Sequence, residues 1–588
     1  MIIKKMENPA EIESLRTLDR VYRALSKGNC FRVEAGAGAG KTYSLIKALY
    51  WLIQNKASDF NRKNQKVACI TYTNVAVDEI KRRIDNDTMI FVDTIHGFSW
   101  SIIKDFQKQL RGLISDGLND PKLIEKINEI GGLKNQKIIY DLGYRRASET
   151  DIYLHHDNVV KLFSLMLNEK KFIQLLKGKY PVIFIDEYQD TNKELANSII
   201  SNIIESSSGI QVGLFGDHWQ KIYGDGVGYI SSIKIEEIQK GTNFRSNRLL
   251  VEMLNRMRPE LPQIEKDPSS KGEIKVFHTN NYSGARRDGK GGGHWNGDLI
   301  TEVAHQYFID LQTQLANDGW DFEKTKILML TNNVIAKEQG FENIAKLFTY
   351  NDDYLKFQNS YIDFFVNTIE QVSESFSNKK YGQMFQVLGI RNIRLKNQNE
   401  KVEWQNSMKI LIQLRESGTI SEILEHLKES EKPRLSSKLE DCENRFDKLQ
   451  GIKEFENDSD KSFFSLVDSL KEVKYSEIVS LAKYINDNTP FSTNHGVKGA
   501  EFDNVLIICG RGWNKYNWDN FLSWANVGIP RDKEEFFESN KNLFYVSCSR
   551  PKNRLAILFT QQLSENSLKT LKNWFLEENI FPFPNQSF

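Results

Sequence analysis

The chain of 588 residues carries 79 lysines and arginines against 78 aspartates and glutamates, a net charge of +1, with 40% hydrophobic and 27% charged residues. At roughly 100–200 residues per domain this length holds several cores. The balance excludes a small stapled scaffold, a disordered chain and a globally basic nucleic-acid binder, and leaves room for a local basic groove. The five cysteines, Cys30, Cys69, Cys442, Cys509 and Cys548, form no CxxC pair, so neither a disulfide framework nor a zinc site is expected. The N-terminus turns acidic where a signal peptide is apolar, and no apolar run reaches about 18 residues. A soluble, cytoplasmic protein with no membrane partner is therefore expected.

Short β-branched runs alternate with helical patterns through the first third: Cys30–Glu34, Val67–Thr71, Ile90–Asp93, Val182–Ile185 and Val212–Phe215. That alternation predicts a parallel sheet covered by helices. Each run ends in small, polar or charged residues, which is where open α/β sheets hold their ligands. A second set, Ile274–His278, Ile327–Leu330, Val505–Cys509 and Leu555–Phe559, predicts a second sheet. Ser101–Lys177 reads as helical with no strand-like run, and a longer helical, charged stretch separates Ile327 from Val505; both are expected to be insertions into α/β cores. Ser283–Gly297, with six glycines and three basic residues, reads as a mobile surface loop. Arg391–Lys396 (RNIRLK) reads as a solvated helix face, with contact to duplex DNA as the alternative.

The first strand runs into Ala35-Gly36-Ala37-Gly38-Ala39-Gly40-Lys41-Thr42 and a helical pattern over Thr42–Ile53. Glycines let successive N–H groups curl around a phosphate, and the helix N-terminus adds its positive end. In that setting Lys41 reaches the β- and γ-phosphates and the Thr42 hydroxyl ligates Mg²⁺, although Ala35 stands where the strict pattern has glycine. Tyr180–Asp190 reads YPVIFIDEYQD, an apolar strand ending in adjacent carboxylates. Asp186 fits the Mg²⁺ holder, Glu187 the base or orienter of the attacking water, and Gln189 a partner for that water or the γ-phosphate. Together these elements predict a nucleoside triphosphatase.

DEYQD resembles the DExQD element of the UvrD/Rep/PcrA-type superfamily 1 DNA helicases, and other elements follow in the family's order. AGAGAGKT resembles their first motif, TYTNVAVDEI (Thr71–Ile80) their TxTNxAAxEM, and TIHGF (Thr94–Phe98) their TxHxF. GDHWQKIY (Gly216–Tyr223), NFRS (Asn243–Ser246), STNHGVKGAEFDNV (Ser492–Val505) and LFYVSCSRPKNRL (Leu543–Leu555) resemble GDxxQxIY, NYRS, TxHxxKGLEFxxV and LxYVxxTRAxxxL. The resemblance implies an α/β fold of two RecA-like parallel-sheet domains with ATP between them, each with a helical insertion. The expected division is 1–100 with 178–258 for the ATP-binding domain, 101–177 for its insertion, 259–345 with 486–588 for the second domain, and 346–485 for its insertion. It also implies Gln220 and Arg245 from the first domain and Arg550 from the second around the γ-phosphate, with Glu501 toward the ribose. For single-stranded DNA it implies Thr71, Tyr72, Asn74, Thr94, His96, Phe98, His495 and Lys498; Phe98 and Tyr72 have core packing as the alternative.

Two departures stand out. No glutamine precedes the phosphate loop where the family reads adenine; Asp19, Arg20 and Val21 occupy that neighbourhood. After GDHWQKIY the family's stacking aromatic is replaced by Gly224-Asp225-Gly226-Val227-Gly228-Tyr229, which either passes stacking to Tyr223 or Tyr229 or weakens the stepping mechanism. The expected function is an ATP-dependent 3′→5′ helicase or translocase on single-stranded or tailed DNA, in phage defence or repair. The alternative is a DNA-sensing ATPase that regulates a separate nuclease subunit, as in the Gabija phage-defence systems that the chain resembles more loosely. A P-loop kinase accounts for the phosphate loop and DEYQD, but not for TIHGF, NFRS or VKGAEF.

Overall fold

The computed structural model describes residues 8–584 apart from 142–144, 223, 289–295, 390–397, 453–454, 456, 487–488, 495 and 511–515. Two six-stranded sheets dominate it. The first has the order Ile90–Thr94, Val67–Thr71, Val182–Asp186, Gln211–Gly216, Cys30–Ala35, Ile235–Lys240, with every pair parallel. The second has the order Phe491–Thr493, Thr325–Met329, Phe502–Cys509, Pro551–Phe559, Glu273–His278, Ile580–Pro582, again parallel throughout. This is the expected α/β class with two parallel sheets.

Strand periodicity divides each core. Val67 and Cys69 pack on one face of the first sheet with Leu45 and Leu49 of the helix Lys41–Arg62. Their neighbours Ala68 and Ile70 pack on the other with Ile114, Leu162 and Phe163 of the segment 101–177. Likewise Val505 and Ile507 face one side of the second sheet, while Leu506 and Ile508 face the long helical stretch on the other. Central strands buried on both faces must be apolar throughout, which is why they are readable as continuous runs.

Three expectations need correcting. The segment 101–177 contains a three-stranded sheet, Lys137–Ile139, Arg146–Ala147 and Asp151–Tyr153. Strands of two or three residues have too few positions to show an alternation. The edge strands Ile235–Lys240, Phe491–Thr493 and Ile580–Pro582 also escape the sequence pattern, because edges are partly solvated and polar. Finally, the described flanks of Ser283–Gly297 are tied to the second sheet: Arg286 donates to the carbonyls of Gly297 (2.9 Å) and Thr560 (3.2 Å). The rest of that segment, and RNIRLK at 391–396, lie outside the described residues.

Candidate active site

The phosphate loop leaves the first strand at Ala35 and enters the helix Lys41–Arg62 through Gly40. Gly38 and Gly40 have φ of 73° and 75°, the left-handed region in which a side chain is strained. At Gly38 a Cβ would also lie 2.7 Å from Asn243 Oδ1. The loop carbonyls are held from behind. Asn243 Nδ2 and Gln263 Nε2 donate to Ala37 (3.2 and 3.0 Å), Thr242 Oγ1 to Ala39 (3.0 Å), and the Phe244 N–H to Gly38 (2.9 Å). The Ala37 N–H is engaged by the Tyr545 hydroxyl and the Ala39 N–H by the Gly36 carbonyl (3.2 Å), and the helix N-terminus, carrying Thr42 in its first turn, is the end that favours an anion.

Lys41 Nζ meets Glu187 Oε2 at 2.8 Å. Glu187 also accepts from Gln189 Nε2 at 2.6 Å, and Gln189 Oε1 accepts from the Asp217 N–H at 3.1 Å. Asp217 Oδ2 accepts from Gln220 Nε2 at 2.7 Å, and Gln220 Oε1 accepts from Arg550 Nη2 at 3.3 Å. One hydrogen-bonded path thus runs from the phosphate-loop lysine to an arginine that follows the helix Glu534–Cys548 of the second half. Arg550 is 1% exposed, and burial together with neighbouring Arg245 draws its pKa down to about 9. Arg245 Nη1 donates to the Ser549 carbonyl at 3.0 Å, and its Nε pairs with Glu501 at 3.3 Å. Glu501, expected toward a ribose, also pairs with Lys552 at 2.7 Å.

The two adjacent carboxylates differ. Burial raises the pKa of Asp186, and the charge of Glu187 adds to it. For Glu187 the same burial is outweighed by Lys41 and Lys498, which hold it below the usual carboxylate range. Asp186 Oδ1 is buried with no hydrogen-bond partner among the described residues, an oxygen chemically suited to the hydration shell of Mg²⁺. Glu187 has a positive φ of 48°, in the left-handed region, where the chain turns after the strand Val182–Asp186.

A family profile described as an AAA domain matches residues 20–225. The chain is 26% identical to the Gabija protein GajB of Bacillus cereus (strain HuB5-5), over 99% of its own length and 100% of that protein. It is 22% identical to a probable DNA helicase II homolog of Mycoplasma genitalium, over 77% of this chain and 65% of that protein. It is 24% identical to the ATP-dependent DNA helicase PcrA of Staphylococcus aureus, over 33% of this chain and 32% of that protein. The chain is a relative of the UvrD-like superfamily 1 helicases. Among solved structures, the Pif1 helicase from Candida albicans aligns at 14% identity and a TM-score of 0.25, over 60% of this chain and 56% of that one.

In this UvrD-like chain the residues expected to touch DNA separate into groups. Tyr72 is 46% exposed and Asn74, opening the helix Asn74–Arg83, is exposed. Thr71, Tyr72 and His96 line a cleft of about 740 Å³ that also reaches Asp186, Glu187, Lys122 and Arg145. Thr94 caps the helix Ile95–Ile103, its Oγ1 accepting from the Gly97 N–H at 3.2 Å. Phe98 corrects the expectation: it is 1% exposed and packs edge-on to Phe163 and Tyr180, a core aromatic rather than a surface for bases. Lys498 Nζ meets Asp190 Oδ2 at 2.5 Å, so it ties the second half to DEYQD. Tyr223 and His495 lie outside the described residues. Tyr229 is half-exposed, its ring under the Arg32 guanidinium at 4.1 Å.

Sequence reasoning passed over several participants. Asp217, the second residue of GDHWQ, joins Gln189 to Gln220 and had a signal in its motif. Tyr545, whose hydroxyl accepts from the Ala37 N–H at 3.4 Å, and Gln263 reach the loop from distant segments and carry no local signal.

Proposed function

We propose that the chain is an ATP-dependent 3′→5′ DNA helicase or translocase that hydrolyses ATP with Mg²⁺ while moving along single-stranded DNA. The observation that carries this reading is the path Lys41–Glu187–Gln189–Asp217–Gln220–Arg550, which assembles one site from both sheets. In this reading 1–100 with 178–258 is the ATP-binding domain, 259–345 with 486–588 the second domain, and 101–177 and 346–485 their insertions.

Lys41 exchanges Glu187 for the β- and γ-phosphates as nucleotide enters the loop of residues 35–42. Released from the lysine, Glu187 orients the attacking water and accepts its proton, with Gln189 holding the carboxylate in place. Thr42, and Asp186 through water, would hold Mg²⁺, which would supply neutralisation of the phosphate charge. Arg550, from across the cleft, and Arg245, from the ATP-binding domain itself, stabilise the charge of the transition state, and Gln220 links Arg550 to Asp217 and Gln189. Tyr72, Asn74, Thr71, Thr94 and His96 contact the strand, and Lys498 links strand position to DEYQD.

A second reading, a DNA-sensing ATPase subunit that regulates a partner nuclease in phage defence, is favoured by the likeness to the Gabija protein GajB over both full lengths. The two are separated by recording ATP hydrolysis and strand separation together, on 3′-tailed and 5′-tailed duplexes. Stimulated hydrolysis with opening of the 3′-tailed duplex alone supports the motor. Stimulation without opening of either supports the sensing subunit, and hydrolysis indifferent to DNA contradicts both.

A further inference from the structure

Lys240 ends the edge strand Ile235–Lys240 and is 0% exposed. Its Nζ donates to the Gly40 carbonyl at 3.1 Å and to the Ser44 hydroxyl at 2.6 Å. The Tyr43 ring lies 5.7 Å from the same nitrogen. No carboxylate pairs with it among the described residues, and burial alone draws its pKa down to about 8. A fully buried ammonium without a counter-ion is costly and persists where an anion balances it. The amine holds the carbonyl of Gly40, whose αL turn starts the helix Lys41–Arg62, and a helix N-terminus favours an anion beyond its first N–H groups. A phosphate group there is the anion within reach.

We propose that Lys240 is a second phosphate-directed cation, a positioning residue that sets the phosphate loop from behind and whose charge is balanced by the nucleotide's phosphates. Its hydrogen bonds fix the Gly40 carbonyl and the Ser44 hydroxyl away from the nucleotide. Its charge adds to that of Lys41 without touching substrate. The proposal rests on the nucleotide reading above, and predicts that a cation and an anion on opposite sides of one turn stabilise each other.

The test uses the full chain with Lys240→Met, which keeps the aliphatic volume and removes the charge. Affinities for ATP, ADP and AMP with Mg²⁺ are measured by titration calorimetry, hydrolysis by steady-state kinetics, and melting without nucleotide. Removing the charge is expected to weaken ATP about tenfold, on the scale of one partly screened charge pair, and AMP much less. KM is expected to rise more than kcat falls. The nucleotide-free protein is expected to melt at the same or a higher temperature, since an unbalanced buried charge has gone. A merely structural lysine would instead lower melting and leave the three nucleotides in their wild-type ratio, which overturns the proposal. Lys240→Gln keeps a donor for Gly40 and Ser44 without charge and serves where the methionine variant does not fold; wild-type ATP affinity in it also overturns the proposal. Failure of the wild-type chain to bind ATP overturns the nucleotide reading itself, and is distinguished by Lys41→Ala having no effect on titration.

Discussion

Arg550 and Gln220 stand 330 positions apart in the chain and meet at 3.3 Å, with the guanidinium buried at 1% exposure. Such an arginine has been removed from water at considerable cost, and its pKa is drawn down by that burial and by Arg245. Placement of this kind suits a group whose charge is used when anionic charge develops nearby. Arg550→Ala is expected to lower ATP turnover about 10³-fold while changing nucleotide affinity only a few-fold, the pattern of an interaction made in the transition state. Turnover and equilibrium binding measured on the same preparation check it; equal losses in both would place Arg550 in ground-state binding.

Lys41→Ala removes the partner of Glu187 as well as the phosphate lysine. Hydrolysis is expected to fall to background with the fold retained, because the pair is one contact at the rim of a large core. Circular dichroism melting within a few degrees of wild type, together with lost turnover, is the expected result. Retained hydrolysis would remove the loop from the site.

Two aromatics of neighbouring motifs are expected to respond oppositely. Phe98→Ala opens a cavity among Phe91, Phe163 and Tyr180 and should cost about 3–5 kcal/mol of stability. Tyr72→Ala alters an exposed ring and should leave melting unchanged while weakening single-strand binding by about 1–3 kcal/mol. Thermal melts and fluorescence titration with an oligonucleotide distinguish the two. The oligonucleotide affinity of the wild type should also fall steeply with salt.

Beneath the site, Glu34 accepts from Tyr188 at 2.6 Å and pairs with Arg258 at 3.1 Å, which in turn meets Asp217 at 2.6 Å. Burial acts to raise its pKa, but His218, Tyr188 and Arg258 together hold it below the usual carboxylate range. A carboxylate lowered on folding adds stability that is fully present above the ordinary glutamate pKa of about 4.3 and is lost as pH falls toward the lowered value. Glu34→Gln should therefore cost about 3 kcal/mol at neutral pH, where it leaves Arg258 with one partner fewer, and flatten acid unfolding below about pH 4. Denaturant titrations across pH measure both, and an unchanged acid profile would remove Glu34 from the linkage.

The central strands and the loop of residues 35–42 were readable because both are local: a strand buried on both faces must be apolar, and a loop that wraps phosphate must be glycine-rich. DEYQD and NFRS were readable through resemblance. The small sheet at Lys137–Tyr153 and the strand Ile235–Lys240 were not, because short or edge strands carry no continuous apolar run. Phe98 could not be placed from its motif, since a phenylalanine one helical turn from a strand serves a core or a surface equally well until its neighbours are known. Lys240 and Gln263 act on the loop through tertiary contacts, which leave no mark on spacing.

The most direct test of a site built from both sheets is steady-state ATP hydrolysis by wild type and Arg550→Ala, each with and without single-stranded DNA. The account predicts DNA-stimulated hydrolysis in the wild type and loss of both basal and stimulated turnover in the variant, with ATP still bound. Stimulated hydrolysis that survives in Arg550→Ala would contradict it, because the first sheet alone would then suffice for the chemistry.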